Sequence, residues 1–355
     1  MKLVINLSML GDKPTGLGVY SLVCARIGRT FKALVIGKAP ADVSVEGSVA
    51  SPVSIGIGGG KLAAIKRQLW MRKLDFDSSS FLVYSPTHHG LPSQKGQVIT
   101  IHDLICLRFP RQHIVQYLFF KYVAPRLLRK CAAVFTVSET SRRDIVATYR
   151  VDPSRVHVVP NAVDAERFVP GEVETHVPYL LMVGARYTHK NVDDVLRMAA
   201  SWKDRYRLVV TSCAGKYRAD LEKIIEAMGL RSHVEFRDYV SADDLLRLYQ
   251  GCSALVYASK WEGFGIPPLE ALACGRPVIA SDIEVHREVL EGAALFFQLG
   301  NEGSFGDAID ALNDYGRINE LLAGGRLRVA HYSQPNALAA LKRSLLAVAP
   351  NLELV

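Results

Sequence analysis

The chain has 355 residues, of which 49% are hydrophobic and 22% charged, which is typical of an ordered globular protein with two domains. Its net charge of +8 is uneven, since residues 1–165 carry 22 Lys and Arg against 10 Asp and Glu, and the remainder carries 21 against 25. The basic first half is therefore expected to meet an anionic partner, such as an anionic membrane face or a phosphorylated substrate.

Several classes of protein are disfavoured by the same sequence. No zinc spacing, RNP-like strand or basic zipper is present, so we expect no nucleic-acid partner. No apolar run approaches the ~18 residues that span a bilayer, and the first residues, which include Asn6 and Ser8, favour a strand over a signal peptide. Six scattered cysteines without a C-x-x-C spacing indicate reduced thiols in a cytoplasmic protein.

Residues 1–29 predict a strand, a loop rich in turn formers and a helix, which together open a doubly wound α/β fold. Gly16 and Gly18 let the backbone of this loop approach a ligand closely. The loop is too long for a dinucleotide fingerprint, and no acidic residue ends the next strand, 32–37. A nucleotide-linked oxidoreductase is therefore disfavoured.

Residues 61–74 predict an amphipathic helix. Its apolar face groups Leu62, Ile65, Leu69 and Trp70, and the basic residues on the rest are Lys61, Lys66, Arg67, Arg72 and Lys73. Two interpretations remain open. The helix either lies on an anionic membrane surface, or packs on the sheet with its basic side chains reaching into solvent.

Two further strands, 81–84 and 97–101, end in polar residues: 87–89 after the first, and His102 with Asp103 after the second. Because ligands bind at the carboxyl ends of strands in open α/β sheets, His102 is a candidate functional residue, and a structural role is the alternative.

A long helix over 111–130 with an aromatic patch follows; it belongs to the core, faces an acceptor, or does both. A Pro- and Gly-containing stretch over 168–177 is interpreted as a linker, and a second alternating βα set starts at Tyr179. We therefore predict domains over 1–167 and 168–335. The C-terminal helix, 336–355, is a candidate to pack back on the first domain.

The stretch 259–282 carries the strongest signal of the chain. It places a Gly-Phe-Gly turn and a Pro-Pro pair between two apolar strands, so a helix begins directly after the turn. Glu262 and Glu270 lie eight positions apart around that turn. Amides at a helix N-terminus suit a diphosphate and carboxylates suit hydroxyls, a combination that favours a nucleotide-sugar over a plain helix start with surface glutamates. The amides belong to Gly263, Gly265 and Ile266.

The sequence resembles the retaining glycosyltransferases of family 4, which have the GT-B fold. The E-G-F-G-x-P-x-x-E cassette is highly specific, and the other features match in order and rough spacing over nearly the whole chain. The matching stretches are 15–18, 99–104, 137–138, 159–161, 184–191, 261–270 and 286–288. The resemblance implies an α/β protein of two facing Rossmann-like domains with a cleft between them.

The resemblance also implies roles for the site residues. Glu262 would contact hydroxyls of the transferred sugar, Glu270 would hold the donor ribose diol, and Lys190 would neutralise the diphosphate. His102 would reach the donor sugar. The residues whose backbone would approach the donor are Gly16, Gly18, Gly263, Phe264, Gly265 and Ile266.

An arginine usually follows the first glycine of the 184–191 stretch in this family. Here Ala185 stands at that position and Arg186 comes one later, so whether Arg186 reaches the diphosphate is open, and His189 could compensate in part. No D-x-D motif stands in a plausible place, and we expect no metal and no other cofactor. Retention by same-face attack is implied by the resemblance alone.

The residues of the cassette are most similar to those of mannosyl- and rhamnosyltransferases of bacterial surface polysaccharide assembly. This similarity favours GDP-mannose or a GDP-deoxymannose as donor, with UDP-glucose and related donors open. The acceptor would be a glycan, free or on a polyprenyl diphosphate, at the cytoplasmic membrane face, with peripheral contact to anionic lipid.

One alternative of another class is a catalytically degenerate member that binds a nucleotide or glycan as an assembly partner. The intact Glu262, Glu270, Lys190 and His102 argue against it, and the Ala185 departure favours it. A GT-B epimerase is disfavoured because the cassette is not its pattern.

Overall fold

The computed structural model describes residues 1–11, 16–43, 45–52, 63–175, 177–238 and 240–355. The chain divides by its contacts into two compact units. The N-terminal unit comprises 1–162 together with 334–355, and the C-terminal unit comprises 163–333. Each holds one parallel sheet between helices, which confirms the predicted α/β class of two Rossmann-like domains. In the described ranges no helix is long and apolar enough to cross a bilayer.

The described strands of the N-terminal unit form a parallel sheet in the order β3-β2-β1-β4-β5-β6-β7. The strands are β1 (Lys2–Asn6), β2 (Ala33–Ile36), β3 (Gly47–Val49), β4 (Phe81–Ser85), β5 (Gln97–Thr100), β6 (Cys131–Thr136) and β7 (Val156–Val158). The helices up to the unit boundary are α1 (Gly16–Ala25), α2 (Ala63–Met71), α3 (Ile105–Arg108), α4 (Ile114–Leu118), α5 (Ala124–Leu128) and α6 (Glu139–Tyr149). The strand β3 was not predicted.

The sheet of the C-terminal unit has the order β10-β9-β8-β11-β12-β13 and is also parallel. Its strands are β8 (Tyr179–Met182), β9 (Arg207–Thr211), β10 (Val234–Arg237), β11 (Ala254–Tyr257), β12 (Val278–Ser281) and β13 (Leu295–Phe297). Its helices are α7 (Val192–Arg197), α8 (Gly215–Ala227), α9 (Ala242–Gly251), α10 (Ile266–Ala273), α11 (Glu284–Leu290), α12 (Glu302–Asp310) and α13 (Tyr315–His331).

The strand order reverses once in each sheet, between β1 and β4 in the N-terminal unit and between β8 and β11 in the C-terminal unit. Such a switch point leaves a crevice at the carboxyl ends of the two strands, where ligands bind in doubly wound folds. The last helix, α14 (Gln334–Val348), contacts α1 and β7 and belongs to the N-terminal unit.

The helix predicted over 111–130 is broken into α4, a π-helical turn at Phe119–Val123, and α5. Pro125 stands in the first turn of α5. Because proline lacks an N–H, it cannot continue the regular ladder, and the extra width of a π turn accommodates the break. The turn buries Phe120 in the core, whereas Tyr122 is exposed.

Of the described residues on the predicted apolar face of the helix α2, Trp70 packs against the core of the N-terminal unit. Ile65 and Leu69 are 58% and 55% exposed, whereas Arg67 is only 5% exposed and Met71 is fully buried. The buried positions recur every four residues, so the helix also packs through the stripe that carries Arg67 and Met71. The interpretation that the helix packs on the sheet with basic side chains in solvent is therefore confirmed for Lys66, Arg72 and Lys73, and was wrong in burying Ile65 and Leu69 and exposing Arg67. Lys61 and Leu62 of the predicted helix lie outside the described residues.

The stretch interpreted as a linker, 168–177, packs on the C-terminal unit where it is described. The Phe168 ring is buried edge-on against Tyr249, with ring centres 5.6 Å apart. The Gly171 carbonyl accepts a hydrogen bond of 3.3 Å from Arg276. These contacts fix the start of the stretch, so the linker prediction was wrong there.

Candidate donor site

The switch point of the C-terminal unit holds a buried ion pair. Lys190 follows β8 and Glu262 follows β11, and the Lys190 Nζ lies 2.5 Å from the Glu262 Oε1. Their side chains are 17% and 10% exposed. Nζ also lies 3.3 Å from the Tyr257 hydroxyl and 5.0 Å from the centre of that ring. The structure thus brings together two predicted residues that are distant in sequence.

The electrostatics of this pair keep Glu262 ionised. Burial by itself would raise the pKa of Glu262, but the charge of Lys190, followed by that of His189, lowers the pKa to about 2. Burial and the neighbouring Glu262 raise the pKa of Tyr257, so its phenol stays protonated. The crevice therefore contains an anionic carboxylate, an ammonium group and a neutral hydroxyl.

The turn before α10 explains how amide groups reach this crevice. Gly265 is the N-cap residue and has a φ of +98°, which side chains other than glycine rarely adopt. Pro267 stands in the first helical turn, where its missing N–H removes no bond. The Phe264 ring is buried edge-on against Tyr332 at 5.0 Å and anchors the turn. Because Pro267 and Pro268 have no N–H, Ile266 supplies the amide that the first three residues of α10 can offer to an anion.

Glu270, one turn into α10, has a different environment from Glu262. The Tyr249 hydroxyl donates a hydrogen bond of 2.6 Å to its Oε2. Burial raises the pKa of Glu270 to about 7, against the opposing effects of this hydrogen bond and of Arg167. Among the described contacts no cation forms a salt bridge with it. Near neutral pH the ionised and the neutral form of this carboxyl are therefore both populated.

Arg186 is exposed, and its guanidinium lies 5.7 Å from the centre of the Tyr187 ring. The strand β8 has already ended at Met182, so strand alternation does not decide where Arg186 points. Ala185 is buried in the core of the unit. His189 is buried and its ring stacks on Tyr187, with centres 5.7 Å apart. Whether Arg186 reaches a diphosphate remains a prediction.

Sequence reasoning gave no role to His286, although it quoted the motif that contains it. The His286 Nδ1 lies 2.9 Å from the Ser281 carbonyl oxygen, which can only accept, so this nitrogen carries the hydrogen. Burial lowers the pKa of His286 to about 4. In the described part of the chain its buried Nε2 has no hydrogen-bond partner. The ring lies 5.0 Å from that of Tyr257, the other residue that was missed.

His102 follows β5 in the N-terminal unit. Its Nε2 lies 3.1 Å from the Pro86 carbonyl oxygen, and its ring meets Tyr20 edge-on at 4.5 Å. Burial lowers the pKa of His102 to about 4, so the imidazole is neutral, with the hydrogen on Nε2 and a lone pair on Nδ1. Such a group can accept a hydrogen bond from a hydroxyl.

The glycines of the first loop lie at its end. Gly16 opens α1 and is exposed, and Gly18, two residues later, is buried. Residues 12–15 of the loop, which include Thr15 of the matching stretch, lie outside the described residues. The predicted approach of this loop to a diphosphate therefore stays a prediction.

Two protein families match the chain in turn. The family described as Glycosyltransferase Family 4 matches residues 63–167, and Glycosyl transferases group 1 matches 164–321. The O-antigen chain mannosyltransferase RfbU of Salmonella typhimurium is 32% identical over 320 residues, which cover 86% of this chain and 90% of that protein. The O-antigen chain mannosyltransferase B of Escherichia coli is 25% identical over 248 residues, 65% of this chain and 64% of that protein.

Solved structures share the fold over both units. HepE from Anabaena, in complex with UDP, superposes with a TM-score of 0.71 at 17% identity and covers 98% of this chain and 100% of its own. WaaG, a glycosyltransferase involved in lipopolysaccharide biosynthesis, gives a TM-score of 0.68 at 15% identity, covering 98% and 99%. At these identities the likeness establishes the fold. Together with the family matches, it shows that the chain is a glycosyltransferase of family 4 with the GT-B fold.

Proposed function

We propose that the chain transfers a mannosyl or deoxymannosyl group from a GDP-sugar to a glycan acceptor in O-antigen or related polysaccharide synthesis. The observation that carries the proposal is the buried Lys190–Glu262 pair near the N-terminal end of α10. The choice of sugar is supported by the similarity to two O-antigen chain mannosyltransferases. A hexosyl transfer from a UDP-sugar and a degenerate binding role are the alternatives.

In this proposal Lys190 and Glu262 exchange partners when the donor binds. Without a donor, each satisfies the other at 2.5 Å. A bound diphosphate would offer Lys190 a second anion, and sugar hydroxyls would donate to the ionised Glu262. As the leaving group departs, negative charge develops on the diphosphate, and Lys190 with the Ile266 amide at the start of α10 stabilises it. The proposal therefore assigns this task to protein groups without a metal.

Glu270 is proposed to accept hydrogen bonds from the ribose diol, for which its ionised form is suited. His102 is proposed to contact the donor sugar through a neutral imidazole. Same-face attack with retention completes the proposal, with the departing phosphate oxygen helping to deprotonate the acceptor.

The decisive experiment is transfer by the purified chain with a panel of GDP-mannose, a GDP-deoxymannose and UDP-glucose, with and without EDTA. We expect transfer from a GDP-sugar, an EDTA-insensitive rate and an α-linked product by NMR. Glu262→Gln should reduce kcat by roughly 10²–10³-fold, a loss typical of removing an electrostatic contact to the transition state. The matched control is Glu226→Gln, an exposed glutamate of α8, which should keep the wild-type rate.

Transfer from UDP-glucose alone would replace the donor assignment. A wild-type rate for Glu262→Gln would overturn the site. Donor binding without transfer or hydrolysis would favour the degenerate assembly partner.

We also propose peripheral contact of the N-terminal unit with an anionic membrane. Its exposed apolar side chains adjoin basic ones on the same segments. The exposed apolar residues are Ile65 and Leu69 on α2 and Ile114, Val115, Leu118, Tyr122 and Val123 on the broken helix. In liposome flotation, binding should require anionic lipid and weaken with salt, and Val115→Asp should reduce it. Binding indifferent to lipid charge and salt would contradict the proposal.

A further inference from the structure

The switch point of the N-terminal unit contains a buried arginine for which the described residues provide no counter-ion. Arg67 on α2 is 5% exposed, and neither its Nε nor its Nη1 has a hydrogen-bond partner in the part of the chain that the structure describes. Burial lowers the pKa of Arg67, but a guanidinium stays charged in a protein. An unpaired buried charge whose N–H groups make no hydrogen bond is strongly unfavourable unless a ligand binds to it.

The neighbouring contacts show where Arg67 lies. Met71, one turn further along α2, is fully buried, and its sulfur lies 3.8 Å from the Asn6 Nδ2. Asn6 ends β1 and also donates to the Ser85 hydroxyl, at the end of β4, at 3.0 Å. The face of α2 that carries Arg67 and Met71 is therefore packed at the carboxyl ends of β1 and β4. This is the crevice where a doubly wound fold binds its ligand.

Two histidines that follow β4 share this environment, since the same Asn6 Nδ2 donates a hydrogen bond of 2.8 Å to the His89 carbonyl oxygen. Burial and then the charges of neighbouring groups, which include Arg67, lower the pKa of both His88 and His89, so both rings are neutral. The His89 Nδ1 is buried and, among the described atoms, has no partner. A neutral imidazole nitrogen next to an unpaired guanidinium can donate to the same anion once its tautomer allows it.

We propose that Arg67, with His89 beside it, binds a phosphate or diphosphate group of the acceptor. Two guanidinium nitrogens and an imidazole nitrogen have no partner among the described atoms, and together they suit several acceptor oxygens, which a phosphate supplies and a single hydroxyl does not. The donor diphosphate is assigned to Lys190 of the other unit, which leaves this anion to the acceptor. The inference rests on the proposed function in that one respect, that the N-terminal unit receives the acceptor.

The first test measures thermal unfolding of the whole chain with inorganic pyrophosphate at constant ionic strength. The protein is first saturated with GDP or UDP, whichever binds, so that pyrophosphate cannot occupy the donor site. Wild type should gain stability with pyrophosphate, Arg67→Met should lose that gain, and the control Arg72→Met, at an exposed arginine, should keep it. Without ligand, Arg67→Met should melt no lower than wild type, because it removes an unpaired charge from a buried position.

A wild-type protein that does not respond to pyrophosphate, or an Arg67→Met variant that keeps the full response, would overturn the proposal. So would a marked loss of melting temperature in Arg67→Met without ligand, which would indicate a structural arginine.

The second test separates the two sources of phosphate. Calorimetric affinity for the nucleoside diphosphate should be unchanged in Arg67→Met, and a loss of tenfold or more would assign the anion to the donor and overturn the acceptor assignment. With a diphosphate-linked acceptor, KM should rise in Arg67→Met while kcat changes little. Pyrophosphate binding needs no transfer, so an inactive wild type that binds pyrophosphate through Arg67 would defeat the proposed function and the acceptor assignment, but not the anion site itself.

Discussion

Each unit has a buried cation near the switch point of its sheet, Lys190 after β8 and Arg67 on α2, and the two cations differ in their partners. In the C-terminal unit, Lys190 is held by Glu262 at 2.5 Å. In the N-terminal unit, the described residues leave Arg67 without a carboxylate, although it is more deeply buried. A paired charge is satisfied before the ligand arrives and must exchange partners to bind it. An unpaired buried charge lowers the stability of the free protein, and the protein regains that stability when a ligand pairs with the charge.

The largest expected effect is on the stability of the paired site. Glu262→Gln leaves the Lys190 ammonium buried without its counter-ion, and Lys190→Met does the reverse to Glu262. Each single change should lower the free energy of unfolding by roughly 3–5 kcal/mol, whereas the double variant should recover part of the loss. Urea unfolding of the four proteins measures this, and the same assay on Arg67→Met should show no loss.

Equal losses in the single and double variants would mean that the two side chains do not act as a pair. A loss of several kcal/mol in Arg67→Met would remove the contrast between the units.

Much of the paired site could be predicted from the sequence, because the cassette 259–282 combines turn, helix start and carboxylates within one short stretch. Lys190 was found only through the family resemblance. It lies next to Glu262 because β8 and β11 are neighbours in the sheet, which the linear sequence does not reveal. Strand order also explains why Tyr257 was missed: it reads as the end of an apolar strand, and only the reversal between β8 and β11 brings it to Lys190.

The N-terminal site was not predictable in this way. Helical periodicity separates the faces of α2, but it does not say which face the sheet receives. The expectation that Ile65 and Leu69 would pack inward followed the usual preference of apolar side chains, and the structure buries Arg67 instead. The break at Phe119–Val123 was likewise hidden, because the pattern continues through Pro125.

A smaller effect is expected where the turn supports the paired site. A Cβ at position 265 would lie 3.1 Å from the Tyr257 Cε1, and the backbone there has a φ of +98°. Gly265→Ala should therefore cost about 2 kcal/mol of unfolding free energy through strain and displacement of Tyr257. Gly229→Ala is the control: its φ is +66° and a Cβ meets nothing within 4 Å, so it should cost about 1 kcal/mol.

Only Gly265→Ala should also weaken nucleoside diphosphate binding, because Lys190 packs on the Tyr257 ring. Equal losses of stability and affinity in the two variants would mean that Tyr257 does not support the pair.

The smallest effect concerns pH and compares the two carboxyls of the cassette. The pKa of Glu262 is about 2, so this group stays ionised between pH 6 and 8, whereas the pKa of Glu270 is raised to about 7 by burial. If ionised Glu270 accepts from the ribose diol, affinity for the nucleoside diphosphate should improve by about tenfold from pH 6 to pH 8. Calorimetry at pH 6, 7 and 8 measures it, and Glu270→Gln should flatten this dependence.

The stability of the free protein should move in the opposite direction. The folded state raises the pKa of Glu270 above its ordinary value of 4.5, so its protonated form favours folding, and this contribution is lost as the pH rises through about 7. Glu262 behaves in the reverse way, with a contribution lost only as the pH falls from 4.5 towards 2. Tyr249→Phe should raise the pKa of Glu270 further, because it removes the hydrogen bond to the carboxylate, and should shift the affinity curve to higher pH. An unshifted curve would mean that another group titrates.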